Sequence, residues 1–174
     1  NNTGYQMNLD MKFCGDLVLR EKCDAVSEIT PEILDALDQM VDMMDDQKGV
    51  GLAAPQVGIL KRFLVMVNPD TKEVLKMINP VITKYSDKKC NMEEGCLSVL
   101  NNDGVPIYSH VSRPESVTVE WFDESGQGMR AEMSGYPARI VQHEYDHLDG
   151  VLFVDHLSPV KREQVMRKVR KLKK

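Results

Sequence analysis

Five short runs with the character of β-strands follow one another in this chain, and no helix-length segment alternates with them. They are RFLVMV (62–67), VLKMI (74–78), VITKY (81–85), SVTVEWF (116–122) and MRAEM (129–133). Parallel sheets need a long crossover, usually a helix, between successive strands, so this order excludes a doubly wound α/β fold. It predicts α+β: antiparallel and mixed strands, with helices segregated at the two ends of the sequence. Between 122 and 129 the turn-rich DESGQG joins the last two runs into a hairpin.

The flanking segments carry the helical period. In TPEILDALDQMVDMMDDQKG, Thr30 suits an N-cap and Pro31 the first helical position. Ile33, Leu34, Leu37, Met40, Val41 and Met44 share one face, and Gly49 is expected to close the helix. A methionine-containing stripe of this kind reads as core. A second helix is predicted from about 136 to Leu148, with Gly150 as its stop. VLFVDHL then reads as a short strand or turn, and Ser158-Pro159 opens a last helix expected to run to the end.

At 174 residues the chain fits one domain, 1–174, with a single continuous core. No apolar run is long enough for a membrane span, and NNTGYQMNLDMKFCGDL lacks the basic-then-apolar order of a secretion signal. Cys14, Cys23, Cys90 and Cys96 form no CxxC pair and do not suggest a disulfide scaffold, which favours a reducing compartment. The net charge is −5, yet residues 161–174 alone carry eight Lys or Arg against Glu163. That basic end suits RNA or another polyanion, and equally a solvated helix face whose cations complement the helix dipole.

Chemistry concentrates in QHEYDHLDG, 142–150. On a helix His143 and His147 sit one turn apart on the same face, where both imidazoles can reach one cation. Glu144 lies beside the first, placed to handle protons without ligating. A solvated helix face carrying the same letters is the plain alternative. Two ligands are too few for a catalytic site, and downstream only His156 and Glu163 are on offer, neither well placed; Asp149 follows His147 too closely. Upstream, Cys96 in EEGCLSV follows Gly95, where backbone can approach closely; it reads as a candidate third ligand or as a small buried apolar residue. GVGLAAPQVG, 49–58, reads as a ligand-approaching loop or a packed turn, with Gln56 offering an amide NH2 to a developing oxyanion. It lacks the Gly-Lys-Ser/Thr ending of a phosphate loop.

In their order, GVGLAAPQVG, EGCLSV and QHEYDHLDG resemble the three signature motifs of peptide deformylases, and the likeness extends through LVLREKCDAV and VSRPESVTVEWFDESG. The resemblance implies a compact α+β domain around a central HExxH helix. It implies that Cys96, His143 and His147 ligate one divalent metal per chain, Fe(II) in cells, with Zn(II), Ni(II) or Co(II) as the ions a preparation would hold. It makes Glu144 the general acid/base, and Gln56 and the Leu97 N–H the oxyanion donors. Val50, Gly51 and Gly95 would line the substrate channel, and Tyr136, Arg139 and Ile140 the methionine pocket. The implied reaction is removal of the N-formyl group from the initiator methionine of nascent polypeptides, a metal-bound water attacking the formyl carbon and formate leaving. Implied partners are formyl-methionyl nascent chains and, through the basic C-terminal helix, the ribosome, with no DNA and no membrane. The implied location is the cytoplasm, or an organellar matrix for a chain whose transit peptide has been cut.

Two other readings stand beside this one: a zincin-type metallopeptidase, for which Cys96 is dispensable, and an inactive binding protein of the same fold. The segment between Cys96 and Arg113 is longer than in many deformylases and holds no arginine, so a different rim is expected there, built on Tyr108 or His110. Glu94 and Arg113 are expected to pair and brace the Cys96 loop, a pair worth little if it lies at the surface.

Overall fold

The computed structural model describes residues 8–172. Among these residues seven strands form two sheets. The larger has the order β1-β2-β3-β6-β7, from β1 (Gly51–Ala53), β2 (Phe63–Val67), β3 (Val74–Tyr85), β6 (Ser116–Phe122) and β7 (Gly128–Ser134), antiparallel throughout. The smaller pairs β4 (Lys89–Glu94) with β5 (Ser109–Pro114), also antiparallel. Helices α1 (Pro31–Asp46), α2 (Tyr136–His147) and α3 (Pro159–Lys168) complete the α+β fold.

Strand β2 explains the layering. Phe63 and Val65 belong to the cluster under α1, whereas Leu64 and Met66 belong to the cluster under α2. Alternate side chains leave opposite faces of a strand, so a strand covered on both sides reads as continuously apolar. The third cluster, containing Cys96, Val111, Phe153 and Val165, joins the smaller sheet to α3. The cysteines are all free. Among the described residues no helix is long and apolar enough to cross a membrane.

The Thr30 hydroxyl accepts from the Ile33 N–H at 3.3 Å and caps α1, which buries Leu37, Met40 and Met44 as its apolar stripe predicts. Its closing residue differs from expectation. Lys48, at φ 54°, takes the left-handed position, and Gly49 follows it, donating to the Met44 carbonyl at 2.9 Å. The runs 74–78 and 81–85 are likewise not two strands but one. Asn79, at φ 51°, and Pro80, which has no N–H for the ladder, make a bulge where the register with β6 shifts. Asn79 holds that bulge by exchanging two 2.8 Å hydrogen bonds with the Val26 backbone.

Strands β1, β4 and β5 were not expected. β1 lies inside the glycine-rich stretch read as loop, and β4 and β5 are polar strands with three and two of their six residues exposed. VLFVDHL forms a 3-10 turn, Phe153–His156. Helix α3 stops at Lys168 instead of running to the end. There the chain turns extended, the Arg170 N–H donates to the Leu100 carbonyl at 3.0 Å, and its guanidinium lies 4.3 Å over the Phe13 ring. Capture by these earlier segments outweighs the short gain of another helical turn. Residues 173 and 174 of the basic end lie outside the described residues.

Candidate metal centre

Helix α2 packs beneath the sheet against β1, β2 and β7, which buries the side chains of its central turns. His143, Glu144 and His147 are all buried, and so is Cys96, which enters from the turn after β4. One donor atom each from Cys96, His143 and His147 lies within 4.8 Å of the others, and Cys96 Sγ is 3.4 Å from His147 Nε2. The residues separated by 47 positions in sequence thus meet because β4 ends against α2.

Glu94, the last residue of β4, sets the orientation of the first imidazole. Its Oε1 lies 2.8 Å from His143 Nδ1, which leaves Nε2 as that ring's free nitrogen. The same carboxylate accepts from Arg113 Nε at 2.5 Å, from Arg113 Nη2 at 3.0 Å, and from Arg139 Nη1 at 2.5 Å. Arg113 reaches on to Asp146 at 2.8 Å, and Asp146 to His156 Nε2 at 2.8 Å. Burial alone would raise the Glu94 pKa, but hydrogen bonds from His143 and Arg113 and the guanidinium charge hold it down to about 2. The Glu94–Arg113 pair is therefore a buried hub and not a surface contact.

The remaining electrostatics follow from burial. Burial raises Glu144 to about 7, the range in which a carboxylate exchanges protons near neutrality. Burial, helped by the charges of His143 and Arg113, pushes His147 well below its ordinary value and keeps it a neutral lone-pair donor. His143 goes the other way: burial disfavours its charge, and the neighbouring Glu144, Cys96 and Glu94 outweigh that.

These residues fit a divalent cation. A soft thiolate and two imidazoles would supply three ligands, the number that catalytic centres take from the protein. Glu144 Oε1, buried beside those three side chains, has no hydrogen-bond partner among the described residues, an arrangement that is costly unless a further group completes it.

A cavity of about 360 Å³ opens onto the centre. Its walls include the expected residues Val50, Gly51, Gln56, Gly95, Leu97, Tyr136, Arg139 and Ile140, together with Glu144 and Tyr108. Gly51 is required by contact: a Cβ there would overlap the Glu144 carboxylate. Gln56 is oriented by the Ala53 N–H, which donates to its Oε1 at 2.9 Å and so turns Nε2 toward Ser98 Oγ (3.0 Å) and Cys96 Sγ (3.4 Å). Arg139 contributes to the cavity wall and is fixed there by three acceptors. Its guanidinium is held by Glu94, the Val111 carbonyl and the Cys90 carbonyl, so it braces the cavity wall from behind. Of the two candidate rim residues, Tyr108 lines the cavity and His110 points away on the exposed side of β5. Sequence reasoning missed Ser98, Asp146 and the link to His156, since none has a local pattern that marks it.

Among the described residues strand β1 pairs only with β2, and its other edge borders the cavity without a strand partner. An extended peptide can add there as a strand.

The family model described as polypeptide deformylase matches residues 10–163. A peptide deformylase of Agrobacterium fabrum is 40% identical over 159 residues, covering 90% of this chain and 91% of that one. Among solved structures, a peptide deformylase from Legionella pneumophila superposes with a TM-score of 0.84 at 37% identity, covering 92% of each chain. A peptide deformylase from Ehrlichia chaffeensis in complex with actinonin gives 0.85 at 33% identity, covering 92% of this chain and 94% of that one.

Proposed function

The chain belongs to the peptide deformylase family, metal-dependent hydrolases that remove the N-formyl group from nascent peptides, and from that premise we propose how its own residues carry the reaction. The observation that carries this reading is the meeting of Cys96 with His143 and His147 beside a buried Glu144. Those three side chains would hold one divalent cation. Bound there, the cation supplies Lewis acidity and makes water nucleophilic near neutral pH.

The formylated peptide lies along the open edge of β1, with its methionine side chain against Tyr136 and Ile140. Glu144 takes a proton from the attacking water as the oxygen adds to the formyl carbon. Gln56 Nε2 and the Leu97 N–H donate to the formyl oxygen as it gains charge, each worth about 2.7–4 kcal/mol by comparison with other oxyanion donors. Glu144 then delivers its proton to the methionine nitrogen; the C–N bond breaks, and formate and a free amine leave.

Cys96 separates this reading from that of a zincin peptidase. Cys96→Ala is expected to strip the purified protein of its metal and of formate release from formyl-Met-Ala-Ser. A variant that retains stoichiometric metal by elemental analysis would sink the assignment. We propose Fe(II) as the ion in cells, as the likeness to deformylases implies, with Zn(II), Ni(II) and Co(II) accepted by the same thiolate and imidazole set.

A nascent-chain substrate places the enzyme in the cytoplasm or an organellar matrix, and the basic end is our candidate for ribosome contact. Lys161, Lys168 and Lys171 are exposed, free to meet RNA phosphates. Replacing all three by Gln should abolish co-sedimentation with ribosomes at low salt. Unchanged co-sedimentation would return them to the role of a solvated face.

A further inference from the structure

The five-stranded sheet has two edges. One, β1, borders the cavity; the other, β7, lies at the far end of the strand order, and among the described residues it pairs only with β6. The β6–β7 ladder is unbroken, from Ser116 opposite Ser134 to Phe122 opposite Gly128. An edge strand of this kind presents a row of backbone N–H and C=O groups to which another chain can pair. Proline, lysine and a bulge, three common protections, are absent from GMRAEMS, whose only charges are Arg130 and Glu132.

Those charges are placed symmetrically about Ala131. Moving outward from it, the residues are Arg130 and Glu132, then Met129 and Met133, then Gly128 and Ser134. When two copies of such a strand pair antiparallel about Ala131, residues equidistant from it face each other. Arg130 of each copy then lies opposite Glu132 of the other, and Met129 opposite Met133. The faces agree, because side chains alternate along a strand. Arg130 and Glu132 share the open face, with side chains 61% and 77% exposed, and the ion contacts they make within the chain are long, 3.8 Å to Glu120 and 3.9 Å to each other. Met129, 37% exposed, shares the α2 side with buried Met133 and would be covered across the seam.

We propose that β7 is a self-association edge, through which two copies of this chain join antiparallel about Ala131 and merge their larger sheets into one. The partner is a second copy because the charges of the strand complement themselves, and opposite charges placed directly across strands favour pairing whereas like charges oppose it. β1 and β7 lie at opposite ends of the strand order, so the seam leaves both cavities open to peptide. The dimer is thus independent of the reaction proposed above.

Sedimentation equilibrium of the full chain should show a mass that climbs from monomer to dimer with concentration. Arg130→Glu puts only glutamates across the seam and Glu132→Arg only arginines, so each variant alone should stay monomeric. Mixed in equal amounts, the two restore both opposite-charge pairs, and the mixture should sediment as a dimer. Register is checked by Ala131→Cys. Facing Cα atoms lie about 4.5–5.5 Å apart, within the span of a disulfide, so oxidised glutathione should convert this variant to a covalent dimer. Glu132→Cys, whose two copies sit on a diagonal about 7–8 Å apart, should not cross-link, and neither should the parent with its own cysteines. A parent that is monomeric at every concentration overturns the proposal and leaves Arg130 and Glu132 as charges that keep the edge solitary. A dimer that both charge variants retain, or that their mixture fails to restore, also overturns it, as does equal cross-linking at 131 and 132.

Discussion

Glu144→Gln is expected to lower kcat for formate release by about 10²–10⁴, the contribution of a positioned general acid and base. The substitution keeps the size of the side chain and removes only its ability to take and return a proton. Cys96, His143 and His147 are untouched, so metal content should remain stoichiometric. Activity within tenfold of the parent would refute the role given to Glu144.

The same variant should change stability in the opposite sense when metal has been chelated. Burial lifts the carboxyl from an ordinary 4.5 to about 7, so the folded protein holds a proton that the unfolded chain has already released. Between those values the folded state binds more protons, and stability falls as pH rises from about 4.5 to about 7. Gln carries no such penalty. At pH 8 the chelated variant should unfold with a free energy higher than the parent's by ~1–3 kcal/mol. The group that serves the chemistry is one whose ionised form the fold disfavours.

Removing the Glu94 carboxylate should damage the fold more than any other single change considered. In Glu94→Gln, Arg113 and Arg139 lose the anion they share while remaining buried, with side chains 4% and 2% exposed. Breaking a buried ion pair from one side costs about 3–5 kcal/mol, because the remaining charge is left uncompensated. The His143 ring loses its Nδ1 partner as well, so metal affinity should fall about 10- to 100-fold. Urea unfolding and chelator competition measure the two effects; a loss below ~1 kcal/mol with unchanged affinity would contradict the role of the hub. In the parent, the folded-state pKa is depressed to about 2. The stability it contributes is therefore complete above about 4.5 and lost as pH falls toward 2.

The features readable in the sequence are those whose physics is local. A helix with Thr30 as cap and Leu37, Met40 and Met44 on one face needs only the helical period. The β6–β7 hairpin needs alternation and the DESGQG turn. His143 and His147 share a face because they lie four residues apart on a helix. Resemblance to a known family then named Cys96, Gln56 and Leu97, which spacing alone left open.

Other features were hidden because their causes are remote in sequence. β4 and β5 carry too few apolar residues to announce themselves, yet their pairing puts Glu94 and Arg113 on one face, where the two side chains meet beside the candidate centre. Arg139 reads as a pocket residue on the helix, and its partners belong to two earlier strands, β4 and β5.

The amino-acid sequence by itself determined the helices and strands with a clear apolar period, and which side chains could ligate a cation, since residue type and local period decide both. Only the tertiary structure decided that Cys96 meets the two histidines, that Glu94 is buried among cations, and that Glu144 titrates near 7. Burial and charge proximity are properties of the packed whole, where a residue's energy depends on neighbours brought from tens of positions away.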